Sequence, residues 1–187
     1  MQPGRRTRRR LLLRLTTLAL AWLVLVSTPA VAEVILIGDS LTVSAYKPPG
    51  WTVDARRRRS MQESRLNITR AAARLPQALV VALGSNDVAI RSASMERDIT
   101  FTRRQTIGCL VLTTVRVDGV TPFYNRRWKD WARRWNRAVW HSGAWVADWN
   151  GRARGHPEWF REDGLHLTDA GARAYGRLLG QTVANRC

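Results

Sequence analysis

The chain has 187 residues, with 31 Lys and Arg against 14 Asp and Glu, a formal net charge of +17 and two cysteines. That length suits one ordinary domain with its own core and argues against a second. The cysteines, Cys109 and Cys187, have no spacing that resembles a metal site.

The N-terminus is set apart from the rest. Met1 to Arg10 is crowded with arginine, Leu11 to Val26 is mostly apolar, and Ala30-Val31-Ala32 gives the small-x-small pattern of a signal-peptidase site. Residues 1–32 therefore read as a signal peptide, cleaved before Glu33, and residues 33–187 as the domain. Thr7-Arg8-Arg9-Arg10-Leu11-Leu12 also resembles a twin-arginine signal. The competing reading is a retained single-span anchor, but the apolar stretch is shorter than the roughly 20 residues a span needs and Arg14 interrupts it. Taking the six arginines of the leader from +17 leaves +11 on the remaining 155 residues. Outside the cell such a surface favours wall polymers, acidic glycans or anionic membrane headgroups rather than nucleic acid. Arginine serving only as a general solubilising cation is the alternative.

Short apolar runs follow at Val34–Ile37, weakly at Trp51–Val53, then at Ala78–Leu83, Cys109–Val115 and Trp145–Ala147. Continuous rather than alternating apolar runs fit strands covered on both faces. Helical stretches lie between and after them, at Met61–Leu75, Ala93–Thr106, Arg126–His141 and Asp169–Ala184, the last opened by Thr168 as N-cap. The alternation predicts an α/β protein, a three-layer α/β/α sandwich around a five-stranded parallel sheet. Ligands of such sheets bind beyond the carboxyl ends of the strands. Trp128, Trp131 and Trp135 share one helix face, which predicts core packing. Cys109 and Cys187 are compatible with a disulfide, or with one buried and one terminal thiol.

Three polar segments fall at those strand ends or at a helix start. Gly38-Asp39-Ser40 puts a hydroxyl at a strand-to-helix turn, where unpaired amides can hold an oxyanion. Gly84-Ser85-Asn86-Asp87 puts an amide donor at the same edge. In Asp163-Gly164-Leu165-His166 a carboxylate precedes an imidazole by three residues, close enough to accept the Nδ1 proton and leave Nε2 for a nucleophile. Each segment alone is an ordinary turn or cap. Together, in this order, they point to a serine nucleophile with a supporting pair.

These segments resemble the blocks of the SGNH (GDSL-like) hydrolase family, three of whose four blocks match. Gly50-Trp51-Thr52-Val53-Asp54-Ala55, Asp148-Trp149 and His156-Pro157-Glu158-Trp159 are similar to the SGNH domains of enzymes that O-acetylate peptidoglycan and other polysaccharides. The resemblance implies a flavodoxin-like fold without metal or organic cofactor, catalysis by Ser40, Asp163 and His166, and an oxyanion hole from the Ser40 amide and the Asn86 side chain. It implies an esterase acting on short acyl groups of a cell-wall or surface glycan, an O-acyltransferase using the same residues, or a lipid esterase. A non-catalytic module binding anionic wall polymers is the rival from another class.

The second family block normally supplies a glycine amide to the hole. Here Arg58, within Arg56-Arg57-Arg58-Arg59, stands at that register, and its amide is expected to donate if the backbone avoids positive φ. The arginine run reads as a solvated charge run or as an anion site. Trp149 and Trp159 are candidates to line the cleft. His141 and His156 read as structural or surface residues, and Asn67-Ile68-Thr69 matches a glycosylation acceptor.

Overall fold

A computed structural model describes residues 33–119 and 125–187. The leader expected over residues 1–32 lies outside the described residues, and among those described no helix is long and apolar enough to cross a membrane. In chain order the elements are β1 (Val34–Gly38), α1 (Ser40–Ser44), β2 (Thr52–Ala55), α2 (Arg65–Ala72), β3 (Ala78–Ala82), α3 (Ser85–Ala89) and α4 (Met95–Gln105). They continue with β4 (Cys109–Thr113), α5 (Arg126–Trp140), β5 (Trp145–Ala147), α6 (Trp149–Arg152), a 3₁₀ turn (Pro157–Trp159) and α7 (Asp169–Arg186).

The five strands form one parallel sheet in the order β2-β1-β3-β4-β5. Side chains alternate between its faces. Ile35, Ile37, Leu79, Val81, Leu110 and Leu112 pack with residues of α2, α4 and α5, whereas Val34, Leu36, Ala78, Val80 and Val111 pack with residues of α1 and α7. Burial on both faces is what makes these strands uninterrupted apolar runs. The outer strand β2 is only partly buried, which explains its weak sequence signal. Trp128 and Trp135 are buried and Trp131 packs partly against the same core, as their helical spacing predicts.

Some boundaries differ from the sequence reading for identifiable reasons. β4 ends at Thr113 because Val115 leaves the sheet to pair with the Asn136 side chain, its N–H donating to Oδ1 and its carbonyl accepting from Nδ2. The helix expected from Met61 starts at Arg65, since Ser60 to Ser64 form a turn in which the Ser60 amide donates to Glu63. Helices α1, α3 and α6 span only five, five and four residues, too short to show a helical period. Cys109 and Cys187 form a disulfide, with Cα atoms 5.6 Å apart, that ties the end of α7 to the start of β4.

Candidate active site

The chain reverses its winding direction at β1 and β3, the neighbouring strands whose carboxyl ends carry Gly38-Asp39-Ser40 and Gly84-Ser85-Asn86. A crevice opens there in doubly wound sheets. In this protein it is a cleft of about 430 Å³ lined by Ser40, Asn86 and His166 together with Arg57, Arg58 and Arg161.

Each segment has a local reason for its shape. A Cβ on Gly38 would lie 2.1 Å from Thr42 Oγ1, so only glycine lets α1 pack so closely on the end of β1. Asp39 then caps α1, its Oδ1 accepting from Leu41 N at 3.0 Å, and Ser40 opens the helix at the mouth of the cleft. Gly84 has φ of +123°, and a Cβ there would meet the buried Trp135 ring at 2.3 Å. That turn delivers Asn86 into the first turn of α3 and hence to the cleft.

The third segment is closed by its flanks. Phe160 and Leu167 form an antiparallel bridge, Arg161 N donates to His166 O at 2.8 Å, and Gly164 takes a left-handed φ of +71°. Thr168 caps α7 through Gly171 N and also donates from its hydroxyl to Glu158 O. Within this loop Asp163 Oδ1 accepts from the amides of Leu165 and His166, both at 2.9 Å, while Oδ2 lies 2.6 Å from His166 Nδ1. Partial burial pushes the Asp163 carboxyl up, but these three donors outweigh it and hold the group below the usual carboxylate range. An ionised Asp163 fixes the proton on Nδ1, leaving Nε2 as the basic nitrogen of a ring that lines the same cleft as Ser40.

Asn86 Nδ2 donates to Arg59 O at 3.2 Å and lies 3.5 Å from Asp39 Oδ2. The second contact is long, so one amide hydrogen can turn toward an oxyanion in the cleft. Arg58 lines the cleft but corrects the sequence expectation, because its φ is +60° rather than negative. Its neighbour explains this. Arg59 is not part of a solvated run: it is 6% exposed and donates to both Asp54 O and Asp54 Oδ1, and Asn67 also holds Asp54. The clamp forces the intervening residues into a tight turn, with Arg58 in the left-handed region at a cost of order 1 kcal/mol.

The two tryptophans also depart from expectation. Trp149 is 1% exposed, packed against Trp159, Phe160 and Tyr175, and does not line the cleft. Trp159 is stacked between Trp149 and His156 and likewise stays outside the cleft lining. Their rings stabilise the segment leading to Asp163.

Two buried carboxyls within the site's own segments escaped the sequence reading. Asp39 is 1% exposed, and burial raises its pKa to about 7, opposed by the bond from Leu41 N and assisted by the nearby Asp87. Asp87 is fully buried and receives Met61 N on both oxygens, which ties the arginine turn to α3; burial raises its pKa to about 6. Both stand inside the family-like motifs, the only sequence signal that could have singled them out.

No family model and no curated protein matches the chain. Solved structures do. The C-terminal catalytic domain of Streptococcus pneumoniae peptidoglycan O-acetyltransferase A (OatA), carrying a methylsulfonyl adduct, has a TM-score of 0.67 at 20% identity over 82% of this chain and 93% of that one. A candidate SGNH hydrolase from Slackia heliotrinireducens gives 0.66 at 19% over 80% and 97%. The Clostridium thermocellum family 3 carbohydrate esterase gives 0.59 at 11% over 82% and 96%. At these identities the likeness is one of fold: the chain has the α/β architecture of SGNH hydrolases.

Proposed function

We propose that this protein is an exported serine esterase that removes short acyl groups, chiefly O-acetyl groups, from a cell-wall or surface glycan through an acyl-enzyme on Ser40. The observation that carries the reading is the 2.6 Å contact between Asp163 Oδ2 and His166 Nδ1, on a ring that shares its cleft with Ser40, Asn86 and the Arg58 turn.

In this reading Ser40 Oγ attacks the ester carbonyl as His166 Nε2 takes its proton, and Asp163 stabilises the imidazolium. The Ser40 amide and the Asn86 side chain receive the oxyanion. Collapse expels the sugar alkoxide, which takes the proton from His166, and leaves acyl-Ser40. Water, deprotonated by His166, then releases the acid. A sugar hydroxyl in place of water makes the protein an O-acyltransferase, a second reading favoured by the likeness to the OatA catalytic domain. The leader motif at residues 1–32 supports export.

Hydrolysis of p-nitrophenyl acetate by residues 33–187 tests the proposal. Ser40→Ala is expected to abolish both turnover and fluorophosphonate labelling; equal rates in parent and variant would refute it. Mass spectrometry of a chitooligosaccharide incubated with an acetyl donor separates the two readings, because transfer adds acetyl to the sugar and hydrolysis yields only acetate. N-terminal sequencing of the exported protein is expected to begin at Glu33.

A further inference from the structure

The rim of the cleft is cationic on two opposing segments. On one side, the turn between β2 and α2 presents Arg57 and Arg58, both exposed, next to the buried Arg59 that pairs with the half-exposed Asp54. On the other, Arg161 comes from the loop that carries Asp163 and His166, its Nε donating to Leu167 O at 3.0 Å. Among the described residues no carboxylate lines the cleft, and none of the three arginines makes an ion pair. Three nearby acids are engaged elsewhere, Asp163 on His166, Glu63 on Ser60 close to Arg56 and Arg59, and Asp39 under α1, while Glu162, next to Arg161, does not line the cleft. Three guanidinium groups around one concavity repel each other until an anion enters, and the cleft focuses their field. Guanidinium forks also match the planar oxygens of carboxylate and phosphate better than a lysine would.

We infer that Arg57, Arg58 and Arg161 form an anion subsite flanking Ser40, and that the acyl ester this cleft accepts is carried on a chain bearing carboxylate or phosphate groups close to the esterified hydroxyl. The inference rests on the esterase or transferase reading of the same cleft and deepens it to a substrate class. Left-handed Arg58 fits the idea, since a glycine would relieve the backbone cost at that position but remove the cation.

A binding arm tests the subsite without catalysis. Ser40→Ala protein is titrated calorimetrically with an oligogalacturonate, a glycerol-phosphate oligomer and a neutral xylo-oligosaccharide. At least one anionic ligand is expected to bind more tightly than the neutral one, and to weaken by about tenfold as salt rises from about 0.05 to 0.5 M. Adding Arg57→Gln and Arg161→Gln is expected to weaken it by about tenfold again, whereas Arg104→Gln, an exposed arginine on α4, has no effect. The preferred anion separates a carboxylate polymer from a phosphate polymer. Arg57→Gln alone suffices if the Arg161 substitution disturbs folding, because Arg57 makes no side-chain hydrogen bond or ion pair among the described residues. Unchanged binding in the arginine variants, equal weakening by Arg104→Gln, or equal affinity for the neutral ligand overturns the subsite.

A kinetic arm compares acetylated oligogalacturonate with p-nitrophenyl acetate. The ratio of their kcat/KM values is expected to fall about tenfold in the double variant, mainly through KM. An active enzyme whose ratio does not move overturns the subsite and spares the esterase. Ser40→Ala with undiminished hydrolysis refutes the esterase instead, and the binding arm still decides whether the anion subsite exists.

Discussion

Replacing Asp163 by Asn tests whether the carboxylate acts by choosing the proton position on His166. The geometry fixes how the amide would sit. Asp163 Oδ1 accepts two backbone amides at 2.9 Å, whereas Oδ2 faces the ring nitrogen at 2.6 Å. Asn has a single acceptor oxygen, and turning it toward the ring would set its NH₂ against two N–H donors, forfeiting two hydrogen bonds worth about 1 kcal/mol each. The oxygen therefore stays on the backbone and the NH₂ meets Nδ1, which must then accept, so the ring proton moves to Nε2. That nitrogen can no longer take the Ser40 proton. Serine hydrolases that depend on this arrangement lose about 10⁴-fold in kcat on such a change, equivalent to about 5.5 kcal/mol of transition-state stabilisation. Steady-state hydrolysis of p-nitrophenyl acetate measures the loss, a thermal melt within about 2 °C of the parent shows that the loop survives, and ¹⁵N shifts of the His166 ring report the tautomer. A variant retaining more than about a tenth of the parent kcat, with the ring proton on Nε2, would show that His166 is not the base.

Three further outcomes follow from the packing and the buried charges. Cys187→Ser opens a link spanning 78 positions and is expected to cost about 3 to 4 kcal/mol in urea unfolding; reducing the parent should reproduce it, and a change below about 1 kcal/mol would count against the pairing. Gly84→Ala drives a methyl into Trp135 at a φ that disfavours side chains, so a destabilisation of about 2 to 5 kcal/mol is expected, seen as a lower unfolding midpoint. Asp39 has a folded pKa of about 7, above its unfolded value, so the native state holds an extra proton between about pH 4 and 7 and loses this stabilisation as pH rises through 7. Asp87 adds to the same slope through about pH 6. Asp39→Asn, which keeps an N-cap, should flatten the decline measured from about pH 5 to 8, and parallel profiles in parent and variant would contradict a protonated Asp39.

Much of the architecture could be read from the chain because its signals are short-range. β1 and β3 are apolar at every position, since both faces of a parallel sheet are covered, and the spacing of Trp128, Trp131 and Trp135 marks the buried face of α5. The Asp163–His166 pair was equally legible: the three-residue spacing and a glycine at φ +71° bring carboxylate and ring together within one short loop, which the Phe160–Leu167 bridge closes. Ser40 and Asn86 were legible as groups at strand ends, and the parallel order of β1 and β3 makes those ends neighbours.

Other features depended on partners distant in sequence. Arg56 to Arg59 is a uniform run on paper, yet Asp54, itself held by Asn67, binds Arg59 and leaves Arg58 at φ +60°, with Arg57 and Arg58 on the cleft rim. Trp149 is buried where Tyr175 and Phe160 pack on it, and Asp39 is raised by its burial beneath α1 with help from Asp87, all groups brought together from distant segments. Arg161 gave no signal, since one arginine in a polar loop resembles any other until the bridge between Phe160 and Leu167 turns it toward Ser40's side of the sheet. Local composition fixes what a segment can do chemically and which face it buries, while desolvation, strain and the charge around a cleft are sums over neighbours that only folding assembles.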